Sequence, residues 1–182
     1  MKINFISNQP NKKRNMILAI DVYYINEIAK SVGVLFDWKD IHPQEVIIDI
    51  KEGVAEYVPG EFYKRELPCI EALLKKIPLE KIKIIIIDGH IYVDDSLKYG
   101  LGGYVWELLE KKIPIIGVAK NAFHSNTSTV VPLYRGESKK PLYVSAIGME
   151  ITEAVAHLQN MQGDFRIPSI LKELDTITKN QN

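Results

Sequence analysis

The chain has 182 residues, of which 46% are hydrophobic and 25% charged, so we expect one globular domain over residues 1–182 with a substantial core. Its 23 basic and 23 acidic residues cancel, which excludes a protein that coats nucleic acid through bulk charge but not an enzyme with a local basic groove. Because Cys69 is the only cysteine and neither a signal peptide nor a membrane-length apolar run is visible, we expect a cytoplasmic protein that does not enter a membrane.

Three segments rich in β-branched and aromatic residues come first, over residues 16–22, 30–38 and 45–50. Short turns connect them, which predicts an antiparallel meander. Apolar residues then recur at helical spacing over residues 67–77. Pro68 would lie in the first turn of that helix, where a missing N–H costs nothing.

A continuous apolar run over residues 83–88 predicts a strand that is covered on both faces. A helix over residues 103–112 leads to a strand over residues 113–119, and this succession predicts a right-handed crossover and a parallel pair.

The remaining pattern predicts a late hairpin, with strands over residues 132–134 and 141–145, and two closing helices over residues 151–161 and 169–178. The whole order indicates an α/β fold of the RNase H-like type. Its mixed central sheet would run from an antiparallel meander into parallel strands, with helices on its flanks.

Three carboxylates stand where they can carry chemistry. Asp21 interrupts an apolar strand, Asp88 ends another just before Gly89, and Glu66 stands at the start of the predicted helix. Each also has an ordinary explanation, namely an ion pair or cap, an Asp-Gly turn and a favourable helix-dipole position. If the two strands are neighbours, the three acids together form a hard oxygen site of the kind that Mg²⁺ shares with substrate phosphates.

Lys120 follows the strand that ends at residue 119, where it can meet a phosphate oxygen or simply be solvated. The Tyr57-Val58-Pro59-Gly60 stretch can enter a base stack or form an ordinary turn. His90 is a further candidate because it lies beside Asp88. The sequence contains no nucleotide-phosphate loop of the GKS or GxGxxG type and no zinc motif of the CxxC or HExxH type.

Four segments, in order, resemble the endonuclease V family, and they cover about residues 16 to 178. They are Ile20-Asp21-Val22; Tyr57-Val58-Pro59-Gly60 with Arg65-Glu66 and Pro68; Asp88-Gly89 with Gly100-Leu101, Pro114 and Ile116-Gly117-Val118-Ala119-Lys120; and Tyr143-Val144-Ser145 with Gly148 and Phe165-Arg166-Ile167-Pro168.

The resemblance implies an endonuclease that depends on Mg²⁺ or Mn²⁺ and acts in nucleic-acid repair or processing. Its substrate would be DNA or RNA containing inosine or deoxyinosine, which is cut on the 3′ side, one phosphodiester removed from the deaminated base. We expect the protein to act as a monomer.

The resemblance also implies roles for individual residues. The metal-binding and catalytic acids would be Asp21, Glu66 and Asp88, and Lys120 would be the lysine near the scissile phosphate. The substrate-binding residues would be the wedge residues and the base pocket: Tyr57, Pro59, Gly60 and Gly89.

Two departures from the family pattern bear on activity. Met149 stands where the family has a histidine after its glycine, and a thioether is a poor Mg²⁺ ligand. Asp94 and Asp95 lie in the segment that replaces the family's His-Pro-Arg, where they would repel phosphate. Two alternatives to the enzyme therefore stay open: a catalytically impaired nucleic-acid-binding module, and an RNase H-like nuclease with an altered substrate.

Overall fold

The computed structural model describes residues 15–53 and 62–180, with only the backbone described for Phe62. The strands are β1 (Met16–Ile25), β2 (Ile28–Phe36), β3 (Glu45–Lys51), β4 (Ile82–Asp88), β5 (Ile115–Ala119), β6 (Val131–Leu133) and β7 (Leu142–Ile147). The helices are α1 (Phe62–Leu74), α2 (Leu101–Leu108), α3 (Ile151–Asn160) and α4 (Ser169–Lys179), and a short 3-10 turn spans Leu79–Lys81.

The strands form one mixed sheet in the order β3-β2-β1-β4-β5-β7-β6. β1, β2 and β3 are the predicted antiparallel meander. β4 lies parallel to both β1 and β5, and β6 and β7 form the predicted late hairpin. The predicted mixed sheet is therefore confirmed.

The sheet is the middle layer of three. Side chains of a strand alternate between its two faces, so Leu18 and Ile20 pack toward α1 and α2 while Ile17 and Ala19 pack toward α3 and α4. β4 is apolar on both faces for the same reason, since each of its sides is covered by helices. Because helices cover both faces of the sheet, polar side chains of the central strands reach solvent at the strand ends.

The first helix begins earlier than its sequence pattern predicts. α1 starts at Phe62, so Pro68 is its seventh residue and Glu66 lies inside it rather than at its start. The helix-dipole explanation for Glu66 is therefore wrong. Proline cannot donate a helical hydrogen bond at this position, and tertiary contacts of α1 offset the loss of stability. One such contact is the stack of Tyr63 on Tyr104, whose ring centroids lie 3.8 Å apart.

β1 also runs past its predicted end, to Ile25, and turns into β2 through Asn26, which has a φ of 55°. Asp21 therefore lies within a paired strand and does not cap a strand end. Among the helices in the described ranges, none is both long and apolar enough to cross a membrane.

Candidate active site

Strand register places Asp21 and Asp88 side by side. Ile20 pairs with Ile87 across the parallel β1–β4 ladder, so the two aspartates that follow are level with each other. Each aspartate follows by two residues a side chain, Ala19 or Ile86, that packs toward α3 and α4. The two carboxylates therefore lie on that same face of the sheet. The prediction that the two carboxylates reach one edge is confirmed.

A cleft of about 440 Å³ opens at this edge. It brings together most of the residues singled out from the sequence: Asp21, Glu66, Asp88, Gly89, His90 and Lys120. The wedge residues Tyr57, Pro59 and Gly60 lie outside the described residues.

Glu66 enters the cleft from α1, which packs on the opposite face of the sheet from the two aspartates. Its carboxyl group is buried. Burial, and then the charges of Asp21 and Asp88, raise its pKa to about 8, against a smaller opposing effect from Arg65. At neutral pH this raised pKa favours the protonated form of Glu66, and a positive charge in the cleft would favour its ionisation.

The two aspartates are perturbed in the same direction. Burial raises the pKa of Asp21, and the charge of Asp88 adds to the shift. Burial also raises the pKa of Asp88, while Lys120 opposes the shift. Because 47% of the Asp88 side chain stays exposed, water moderates its shift more than it does at Glu66.

Lys120 supplies a positive charge to this cluster. Its Nζ lies 3.8 Å from Asp88 Oδ2 and 3.4 Å from Asp175 Oδ1. Lys120 follows Val118 by two residues, and Val118 pairs with Asp88. The Lys120 side chain therefore lies on the same face of the sheet as that of Asp88. The lysine is therefore held within reach of any anion that enters beside Asp88.

Asp175 was missed by the sequence analysis. It lies on α4, and hydrogen bonds from Lys179 and Lys120 outweigh its burial and lower its pKa. The available signal was helical spacing, since Leu171, Leu174 and Thr178 share its side of α4 and face the sheet. In the fold, Asp175 lines a small cavity together with Asp21 and Asp88.

Gly89 and His90 form the wall of the cleft behind Asp88. Gly89 has a φ of +145°, which side chains rarely adopt, and a Cβ added there would meet nothing within 4 Å. His90 Nε2 lies 2.9 Å from the Asn121 carbonyl, and its ring is tilted against Phe123. The histidine thus braces the loop that carries Lys120, and Gly89 leaves open space beside the acids.

The loop acids do not lie in the cleft. Asp94 Oδ1 accepts hydrogen bonds from the backbone of Ser96 and Lys98. Asp95 Oδ1 accepts hydrogen bonds from the backbone N–H groups of Thr127 and Ser128, at 2.8 Å each, and so joins its loop to theirs. Hydrogen bonds within the loops engage both carboxylates, and their repulsion of a phosphate stays a prediction.

Met149 lies at the far end of the sheet. Ile147 pairs with Ile115 at the start of β5, whereas the acids stand at the strand's other end beside Val118. Met149 packs against the core under α3 and α4. The interpretation that Met149 removes a metal-linked group is therefore wrong, since no side chain at that position reaches the cleft.

Within residues 15–53 and 62–180, no three histidine, cysteine or acidic side chains close around a point as a complete protein cage for a metal ion. The approach of Glu66 from the opposite face of the sheet accounts for this. The arrangement instead offers two adjacent carboxylates, a third at short range and a lysine, all opening onto one cleft. Such a set can hold a hard cation together with waters and a substrate phosphate.

The mixed sheet with helices on both faces is an RNase H-like fold. The same fold occurs in the crystal structure of human ENDOV (20% identity, TM-score 0.73, 91% of this chain and 83% of that chain). It also occurs in Ciona intestinalis endonuclease V, solved with a 24mer DNA containing an inosine followed by a ribo-adenosine (17% identity, TM-score 0.75, 91% and 84%).

The family model described as Endonuclease V matches residues 2–176, so the chain belongs to the Endonuclease V family. It is similar to Endonuclease V from Streptomyces avermitilis, with 25% identity over 185 residues that cover 90% of this chain and 79% of the relative.

Proposed function

We propose that this protein is a divalent-metal-dependent endonuclease that cuts DNA or RNA on the 3′ side of inosine or deoxyinosine. The observation that carries the proposal is the level pairing of Asp21 and Asp88 in one cleft with Glu66 and Lys120. Family membership supports the nuclease reaction. The inosine-containing DNA bound by the Ciona intestinalis relative supports the substrate class.

The donor set fits Mg²⁺, or Mn²⁺ in its place. Burial raises the pKa values of Asp21, Glu66 and Asp88, and the charge of a nearby acid adds to each shift, so a cation in the cleft would relieve an existing electrostatic cost. Magnesium commonly takes one or two carboxylates and completes its shell with waters and substrate phosphate. We assign Asp21 and Asp88 as the direct ligands and Glu66 as the acid that holds the ion or its water.

The bound cation would supply an activated water and neutralise charge on the leaving oxygen. Asp21 and Asp88 would hold the cation through their shared position on one face of the sheet. Glu66, once ionised, would orient the attacking water and accept its proton.

Lys120 would stabilise the charge that develops on the phosphate. Its Nζ lies beside Asp88 and Asp175, and 41% of its side chain remains exposed, so it is within reach of an anion that enters the cleft. A lysine positioned in advance in a partly buried cleft is worth more than one that must reorganise in water. Asp175 would act as a positioning residue for this lysine.

Base recognition would use the part of the cleft beside Gly89. An enzyme that reads a single base must take it out of the stack. We propose that Tyr57, Pro59 and Gly60 fill the gap in the stack, and that the open space at Gly89 admits the displaced base.

The test is an incubation of the purified protein with Mg²⁺ or Mn²⁺ and DNA or RNA strands that carry one inosine, beside strands that carry adenosine at that position. We expect cuts only in the inosine strands, and we expect Asp88→Asn to reduce the cutting rate by at least about 100-fold. Glu80→Gln is the matched control, because it removes one exposed negative charge just before the opposite end of β4.

Each outcome points to one function. Inosine-specific cuts that Asp88→Asn abolishes and Glu80→Gln preserves support the proposal. Binding of the inosine strand without cuts under either metal would overturn it in favour of a binding module. Cuts that do not depend on inosine would indicate a nuclease with a different substrate.

A further inference from the structure

Phe165 is an exposed aromatic ring on a rigid segment. Its side chain is 79% exposed, the largest exposed fraction among the large hydrophobic residues of the described ranges. A single exposed apolar side chain is ordinary on a protein surface. The surroundings of Phe165 are what distinguish it.

A buried arginine fixes the backbone on which Phe165 stands. Arg135 Nη1 donates a hydrogen bond to the Phe165 carbonyl at 2.7 Å, and Nη2 donates to the carbonyls of Met161 and Gly163 at 2.6 and 3.0 Å. A guanidinium is costly to bury unless its donors are satisfied. Here the Nη1 and Nη2 groups hold one surface loop.

The same loop is tied to the candidate active site. Arg166 Nη2 donates hydrogen bonds to the carbonyl of Lys120 at 2.7 Å and to that of Pro141 at 2.6 Å. Ile167 lines a small cavity together with Asp21, Asp88 and Lys120. The backbone that carries Phe165 is therefore tied to the segment that carries Lys120, the lysine that we assign to the phosphate.

The neighbours of Phe165 favour a nucleobase as its partner. Gln162 and Asp164, near it in the chain, are exposed and polar, unlike the apolar centre of a protein–protein interface. The charge of Asp164 disfavours a phosphate at this point. A flat, apolar ring face beside a strand whose phosphate lies at Lys120 fits an unpaired base.

We infer that Phe165 stacks on a base of the substrate strand next to the scissile phosphate and so positions that strand. The inference rests on the proposed function. Stacking is tolerant of base identity because every base has a π-face. Phe165 is thus a positioning residue that strengthens binding of the strand without reading the deaminated base.

The experiment compares KM and kcat for a single-stranded inosine substrate among the wild type, Phe165→Ala, Phe165→Leu and Phe165→Trp. We expect Phe165→Ala to raise KM roughly 5- to 150-fold with kcat changed less than about twofold. Tryptophan should restore KM and leucine should not, because stacking requires a ring. Ile41→Ala, which truncates a side chain that is 53% exposed in the β2–β3 loop, should leave both constants unchanged.

A second readout is the fluorescence of 2-aminopurine placed at each position flanking the scissile bond, measured as the wild type and Phe165→Leu bind without a divalent ion. One flanking position should be quenched by the wild type and much less by the leucine variant.

An unchanged KM in Phe165→Ala, or a leucine variant equal to the wild type, would overturn the inference while the proposed function stands. A lowered melting temperature with a fall in kcat would assign Phe165 a structural role and would also overturn it. A wild type that cuts no inosine strand would overturn the proposed function, and this inference with it.

Discussion

Asp94 and Asp95 lie in a loop, whereas Asp21 and Asp88 lie in the cleft. The pKa values of the two pairs shift in opposite directions. Asp95 accepts hydrogen bonds from the backbone and hydroxyl groups of Thr127 and Ser128, and these bonds lower its pKa to about 2. Asp21 and Asp88 lie in a partly buried cleft, where burial raises their pKa values. These opposite shifts show that the number of carboxylates in a segment is not enough to predict a cation site.

What distinguishes the two pairs is whether their charge is already compensated. A carboxylate that accepts several hydrogen bonds is stable as an anion and gains little from a metal ion. The cleft acids repel one another, and Lys120 and Arg65 compensate them only in part. Each prediction below tests this contrast, from the largest expected effect to the smallest.

Asp21→Asn should lower the cutting rate on inosine strands by about 100- to 10,000-fold, because it removes a proposed metal ligand and leaves only one of the two adjacent carboxylates. Asp95→Asn, which makes the same chemical change in the loop, should alter the rate by less than about threefold. Single-turnover cleavage at saturating Mg²⁺ measures both. A loss of similar size in the two variants would remove the distinction between the pairs.

Lys120→Ala should lower kcat by about 100- to 1,000-fold while KM changes less, since its Nζ is proposed to act on charge that develops during the reaction. Lys83→Ala, which removes an exposed lysine near the opposite end of β4, is the matched control. Steady-state kinetics on one substrate measures both variants. A rise in KM alone would assign Lys120 to ground-state binding and contradict this role.

Glu66→Gln should change how stability depends on pH in the metal-free protein. The pKa of Glu66 is raised from 4.5 to about 8, so the stability it contributes is fully present below pH 4.5 and is lost as the pH rises through about 8. The wild type should therefore unfold at lower urea concentration at pH 8 than at pH 5, and the glutamine variant should lose much of this decrease.

Urea unfolding with a chelator present, at several pH values between 5 and 8, measures this slope for both proteins. Mg²⁺ should restore wild-type stability at pH 8 and should do less for the glutamine variant. Parallel slopes in the two proteins would mean that Glu66 is solvated and titrates normally.

Met149→Leu should have the smallest effect, with less than about twofold change in kcat or KM. The side chain packs at the end of the sheet opposite the cleft, and leucine has a similar volume. The cleavage assay again measures it. A large loss of activity would show that this end of the sheet takes part in the reaction.

Much of the fold could be predicted from the sequence because its patterns are local. The alternation and length of the apolar runs in β1, β2 and β4 identify them as strands, and the run in β4 is buried on both faces. The level pairing of Asp21 with Asp88 followed from placing these two strands side by side. Element boundaries were less predictable, since contacts such as the Tyr63–Tyr104 stack extend α1 past its apolar pattern.

The rest of the site depends on tertiary contacts that no local pattern contains. Asp175 meets the cleft only because α4 packs across β1, although its place on the buried side of the helix was visible. The place of Met149 depends on the antiparallel direction of β7, which carries it away from the acids.

The most direct test of the account is a crystal of this protein soaked in Mn²⁺ and measured for anomalous scattering. We predict a peak between the carboxylates of Asp21 and Asp88, and none at Asp94 or Asp95. Peaks at the loop acids with none between Asp21 and Asp88 would contradict the account.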